Sequence, residues 1–176
     1  MCWALHGRYT FRLKNVEEKY PQEIHLEKVP EYLSKVKASA FREELKADEV
    51  LITADTVVCI HDRILGKPAD RKEAISMLRK LSGNRHLVVT GVSVTTRTEQ
   101  LSFSSRTDVF FKHLSNEEII FYVDTYKPFD KAGAYGIQEW IGYIGIERIE
   151  GSFYNVMGLP IQLSLIHISE PTRLQL

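Results

Sequence analysis

Cysteine is scarce in this chain, with only Cys2 and Cys59 among 176 residues. The two have no metal-ligand spacing, and Cys59, set in an apolar strand, reads as a small hydrophobe suited to a reducing cytoplasm. Long hydrophobic runs are missing as well. No stretch approaches the roughly 20 apolar residues a membrane span requires, and the start lacks the charged-then-apolar order of a signal peptide. Net charge is absent, since 23 basic and 23 acidic residues cancel. That balance argues against a general binder of nucleic acid or membrane surfaces and leaves local charge to recognise a small partner. The length allows one well-buried core, or two lobes sharing a sheet, but not two independent domains.

What is present centres on Val50 to Ile60, a nearly continuous run of apolar and β-branched residues that reads as a strand buried on both faces. Asp55 interrupts it. Asp is depleted in strands and is rarely buried without a partner, so Asp55 must reach a cation, a cluster of donors or a cleft. The alternative is a structural Asp that accepts from backbone amides where the strand breaks. Leu65-Gly66-Lys67-Pro68 follows, with a Gly for close backbone approach, a cation, and a Pro that stops the strand. A carboxylate and a lysine thus reach one edge of a sheet.

Elsewhere the pattern is architectural. Tyr9 to Lys14 alternates like a half-exposed strand, and Lys28 to about Lys46 carries helical spacing in Val29, Leu33, Val36 and Ala40, with Pro30 tolerable in the first turn. Asp70-Arg71-Lys72-Glu73 resembles a capping box opening a helix that Gly83 ends. Leu87 to Thr96 and Gln100 to Lys112 read as a β-hairpin. Ser115 to Glu118 is a second capping box, opening a helix that Pro128 breaks. In Lys131 to Gln138, Ala132, Gly133 and Ala134 let backbone approach a flat ligand. Tyr135 offers an aromatic wall there, and Gln138 an amide that both donates and accepts, as a pyrimidine edge requires. A structural turn is the competing reading of that loop. Gly142 to Ile149 reads as a strand and Gly151 to Asn155 as a turn.

Ala54-Asp55-Thr56-Val57-Val58, Leu65-Gly66-Lys67-Pro68, Leu81-Ser82-Gly83 with His86, Thr90-Gly91-Val92, Asp130 to Gln138, and Gly151-Ser152 with Gly158-Leu159-Pro160 together resemble the Maf family of nucleoside triphosphate pyrophosphatases, over about Glu17 to Gln162. The resemblance implies an α/β fold with a mixed, elongated, twisted sheet flanked by helices and two lobes around a cleft. It implies hydrolysis of dTTP or UTP to the monophosphate and pyrophosphate. The competing readings are a pyrophosphatase for 7-methyl-GTP or other non-standard nucleotides, and a non-catalytic nucleotide-binding regulator of cell division. Carried over residue by residue, it makes Asp55 the general base, and Glu18 and Asp55 the ligands of a divalent cation, Mg²⁺ before Mn²⁺. Lys67 becomes a catalytic cation, and Lys37, Lys131, Thr56 and Gln138 become substrate contacts, the last two setting base preference. His86 is either a phosphate contact or a neutral surface histidine. A cytoplasmic homodimer is implied as well.

The pattern departs from the family at both ends. The Ser-x-Ser-Pro-Arg-Arg loop with which such chains open is missing, and neither Arg8 nor Arg12 has the context to replace it. From Leu163 onward the sequence looks like the in-frame translation of a sequencing adapter. Residues 1–162 are therefore expected to form the domain, and residues 163–176, His167 included, a non-native tail.

Overall fold

The structure is a computed structural model, and it describes residues 10–162. Arg8, Cys2 and the expected non-native tail 163–176 lie outside the described residues. In chain order the regular elements are α1 (Val29–Ser39), β1 (Leu51–Ile60), β2 (Arg63–Leu65), α2 (Arg71–Leu81), β3 (Arg85–Thr95), β4 (Gln100–Phe111), α3 (Asn116–Tyr126), α4 (Trp140–Gly145), β5 (Ile146–Glu150) and α5 (Phe153–Val156). Short 3₁₀ turns precede and follow α1, and another spans Ala132–Ala134.

The strands form one sheet in the order β2-β1-β3-β4-β5. The α/β class with flanking helices is as the residues suggested, but every pairing among the described residues is antiparallel, where a mixed sheet was expected. Tight turns explain two of the four pairings. His61 and Asp62, both at positive φ, fold β2 back on β1, and residues 96–99 fold β4 back on β3, whereas a parallel neighbour needs a long crossover. β2 pairs only with Val58 to Ile60, so among the described residues Leu51 to Val57 has a strand on one side alone.

Alternation along β1 separates two cores. Val57 and its partner Val89 meet Val29 and Leu33 of α1 on one face. Val58, Ile60 and Val88 meet α2, α3 and the Ala134–Ile141 region on the other. Capping ends the helices where the sequence says: Asp70 accepts from Glu73 N–H, and Ser115 with Glu118 completes a capping box. At the far end Phe121 of α3 packs edge-on against Trp140 of α4.

Three expectations fail locally. Residues 10–14 form no strand; Phe11 and Leu13 are almost fully exposed, because alternation alone cannot make a strand without a ladder. Gly142 to Gly145 belongs to α4 rather than to a strand, since Gly142 lies so close to the Ile137 carbonyl that an added Cβ would sit 1.8 Å from it. The expected turn at Gly151 to Asn155 includes the first residues of α5, capped by Ser152.

α1 lies unusually near the sheet at Gly91, the cross-strand partner of Asp55. A Cβ there would fall 2.1 Å from Glu31 N and 2.2 Å from the Pro30 carbonyl carbon. Hydroxyls stitch the same seam: Ser34 bonds Ser93 at 2.8 Å, and Thr53 donates to the Ser34 carbonyl at 2.7 Å. Gly91→Ala should therefore cost about 1–3 kcal/mol through overpacking, while Gly66→Ala, with nothing within 4 Å, should leave the urea midpoint nearly unchanged.

Candidate active site

Asp55 projects from the middle of β1 toward α1, with its side chain only 9% exposed. Lys37, in the last turn of α1, lies 2.5 Å from an Asp55 oxygen and 3.0 Å from Glu18. Glu18 sits on the irregular segment before α1 and in turn lies 4.0 Å from Lys67, the exposed lysine of the loop after β2. Four of the residues named from the sequence thus meet at one point. Close approach at Gly91 is what lowers α1 far enough for the Lys37 side chain to reach β1.

Charge in this cluster is set by burial and pairing together. Desolvation raises the Asp55 carboxyl above the ordinary aspartate value, and the Lys37 ammonium offsets only part of that. Burial alone would depress Lys37, but its bonds to Asp55 and Glu18 prevail and hold it above the usual lysine value. Glu18 is also opposed by burial, yet Lys37 and then Lys67 keep its pKa low. The result is one reluctant carboxylate, one firmly ionised carboxylate and a shared ammonium, an arrangement able to accept a proton beside an anionic ligand.

Asp55 and Glu18 each direct an oxygen at the Lys37 ammonium, and hard oxygen donors of this kind would also suit a divalent ion completed by phosphate oxygens. Among the described residues no group of three or more His, Cys, Asp and Glu side chains could hold a metal. A pair of carboxylates is all that a substrate-bridged Mg²⁺ requires.

The remaining residues fall elsewhere. Thr56 points through the sheet to the opposite face, where its hydroxyl meets Thr90 at 2.8 Å and lies beside Gly158. Gln138 is exposed in a groove of about 630 Å³ that it shares with Ile137, Tyr143, Phe153 and Met157. Gly158 thus borders Thr56, and its neighbour Met157 borders the Gln138 groove. Lys131 is held by Asp130 at 2.9 Å and by Glu139 at 3.2 Å, away from the Asp55 cluster. Its loop nonetheless touches the lysine loop, as Gly133 N–H donates to the Gly66 carbonyl.

Two readings of single residues are corrected. His86 is neither a phosphate contact nor a surface histidine; it is buried, stacked on Phe111, and hydrogen-bonded through Nε2 to Tyr135, and burial pushes its pKa down to about 3. Tyr135 is no ligand wall but part of that core. Arg12 pairs with Glu49. Missed altogether were Tyr122 and Glu139, which brace the Lys131–Gln138 loop. Tyr122 sits on the buried stripe of α3, where nothing distinguishes a bonding phenol from a packing ring.

A nearly sealed carboxylate held by an ammonium, rimmed by a second carboxylate and a second lysine, defines an α/β protein with an acid–base site for an anionic ligand. The chain belongs to the Maf family, whose description, Maf-like protein, matches residues 4–170. It is 55% identical over 150 residues to a dTTP/UTP pyrophosphatase of Bacteroides thetaiotaomicron, covering 85% of this chain and 78% of that one. A dTTP/UTP pyrophosphatase of Porphyromonas gingivalis is 56% identical over 153 residues, with 86% and 77% covered. One of Cytophaga hutchinsonii is 49% identical over 153 residues, with 87% and 70% covered.

Replacing Lys37 by Met removes the charge that favours ionised Asp55 and leaves the desolvation in place. The Asp55 carboxyl titration, followed by NMR, should then move further up. Because its folded pKa already exceeds the ordinary one, Asp55 favours the fold at low pH. That contribution is lost as pH rises through the folded value, so Lys37→Met should lose stability mainly on the alkaline side of the ordinary aspartate pKa.

Proposed function

We propose that this protein is a nucleoside triphosphate pyrophosphatase acting on dTTP and UTP, cleaving between the α and β phosphates to release the monophosphate and pyrophosphate. The observation that carries this reading is the Asp55–Lys37–Glu18–Lys67 cluster, found in a chain about half identical to relatives named for that reaction.

In this mechanism Asp55 accepts a proton as water bonds to phosphorus. The α–β bridging bond breaks and pyrophosphate departs with the electron pair. A carboxylate whose pKa is raised by burial is a better base than one in water, and positioned proton transfer of this kind contributes roughly 10²- to 10⁴-fold. Lys67, exposed and adjacent, and Lys37 offset charge on the phosphates. Glu18 and Asp55 would hold a divalent cation, Mg²⁺ before Mn²⁺; when bound, such an ion neutralises phosphate charge and acidifies water. Thr56 and Gln138 read the base from the far side of β1, across residues 157–158. Lys131, tied to Glu139, acts on substrate through the loop it closes.

The setting this reading implies is a cytoplasmic homodimer.

Pyrophosphate release from a panel of dTTP, UTP, dCTP, GTP and 7-methyl-GTP tests the proposal. The pyrimidine triphosphates dTTP and UTP should turn over fastest, and Asp55→Asn should lower kcat by about 10²-fold or more while leaving the fold intact. Preference for 7-methyl-GTP, or tight triphosphate binding without pyrophosphate release, would replace the reading with one of its competitors.

A further inference from the structure

The loop from Lys131 to Glu139 is closed on itself. The Lys131 ammonium lies 3.2 Å from one Glu139 oxygen, joining its first residue to its last. The other Glu139 oxygen accepts from the Tyr122 hydroxyl, which itself accepts from Gly136 N–H at 3.0 Å. Tyr122 is fully buried in α3, so the loop is anchored to the core through a phenol. Space inside the ring is used up: a Cβ on Gly136 would fall 2.9 Å from the Glu139 carboxyl carbon and 3.1 Å from Lys131 Cε.

Glu139 occupies the N-cap position of α4 but makes no cap bond with its side chain. Its carboxylate is committed to the clasp instead. Gln138 stands between the two anchored positions, Gly136 and Glu139, with Ile137 turned into the core and Gln138 outward. Two fixed points three residues apart leave the Gln138 Cα little freedom, which is the condition for an amide to discriminate between hydrogen-bonding edges.

We propose that Tyr122 and Glu139 are positioning residues that hold Gln138 in place and thereby set the preference for a uracil or thymine ring over cytosine. This rests on the pyrophosphatase reading. Uracil offers a ring N–H donor beside a carbonyl acceptor and cytosine the reverse, so a loosened amide serves both about equally. Lys131 belongs to the same clasp.

Turnover of UTP and CTP by the full chain, together with amide exchange at Gly136, should be compared in wild type, Tyr122→Phe, Glu139→Gln and Lys131→Met. In Tyr122→Phe the Gly136 amide should lose protection, and KM for UTP should rise about tenfold. There kcat should hold within about twofold and the UTP-to-CTP preference should shrink, because the Asp55 cluster is untouched. Glu139→Gln, which still accepts from the phenol, should retain most of the preference. A role in stability alone would lower the melting temperature and leave the UTP-to-CTP ratio unchanged, and that result overturns the proposal. Absence of triphosphate turnover in wild type would overturn the pyrophosphatase reading instead. The clasp would then be decided by exchange, with unchanged Gly136 protection in Tyr122→Phe refuting it.

Discussion

One ammonium group holds the site together. Lys37 binds Asp55 of β1 and Glu18 of the preceding segment at once, joining three parts of the chain that would otherwise present isolated charges. A nearly sealed carboxylate is costly by itself, and removing the ammonium bonded to it leaves a poorly compensated buried charge or forces protonation. The seat of α1 on Gly91 is therefore a functional constraint as much as a packing one. Helix and strand must approach within backbone contact for a four-carbon side chain to bridge them.

The pleat of β1 divides the proposed labour. Adjacent residues on a strand face opposite sides, so Asp55 looks toward α1 while Thr56 looks toward Thr90 and Gly158. This happens in the stretch that β2 does not cover, where the strand can be approached around its side. On that proposal, acid–base chemistry and base recognition sit one residue apart in sequence yet on opposite faces of the sheet. Tuning Thr56 and its partner Thr90 need not disturb the ion pairs that adjust Asp55.

Much of this was legible because local rules and tertiary context agreed. Asp70 and Ser115 announce their helices through caps that depend only on neighbouring residues, and β1 declares itself through a nearly continuous apolar and β-branched run. Asp55 stands out because a carboxylate in such a run demands a partner, and the Lys37 and Lys67 partners lie within reach. Other features were hidden because contacts distant in sequence decide them. Trp140 to Ile146 carries apolar residues that satisfy a strand or a helix, and only the approach of Gly142 to Ile137 selects the helix. His86 and Tyr135 are polar names on core residues, bonded to each other through His86 Nε2 across 49 positions. Lys131 looks available until Glu139 folds back to it, and no one-dimensional pattern encodes that return.

The edge-on pair of Phe121 and Trp140 has an optical consequence. Trp140 directly follows Glu139, at the end of the loop that carries Gln138, and the chain's other indole is Trp3. Changing Trp3 to Phe leaves a single indole, beside the amide proposed to read the base. Its wavelength and lifetime would then sense rearrangement of that loop directly, making the protein its own reporter of nucleotide occupancy.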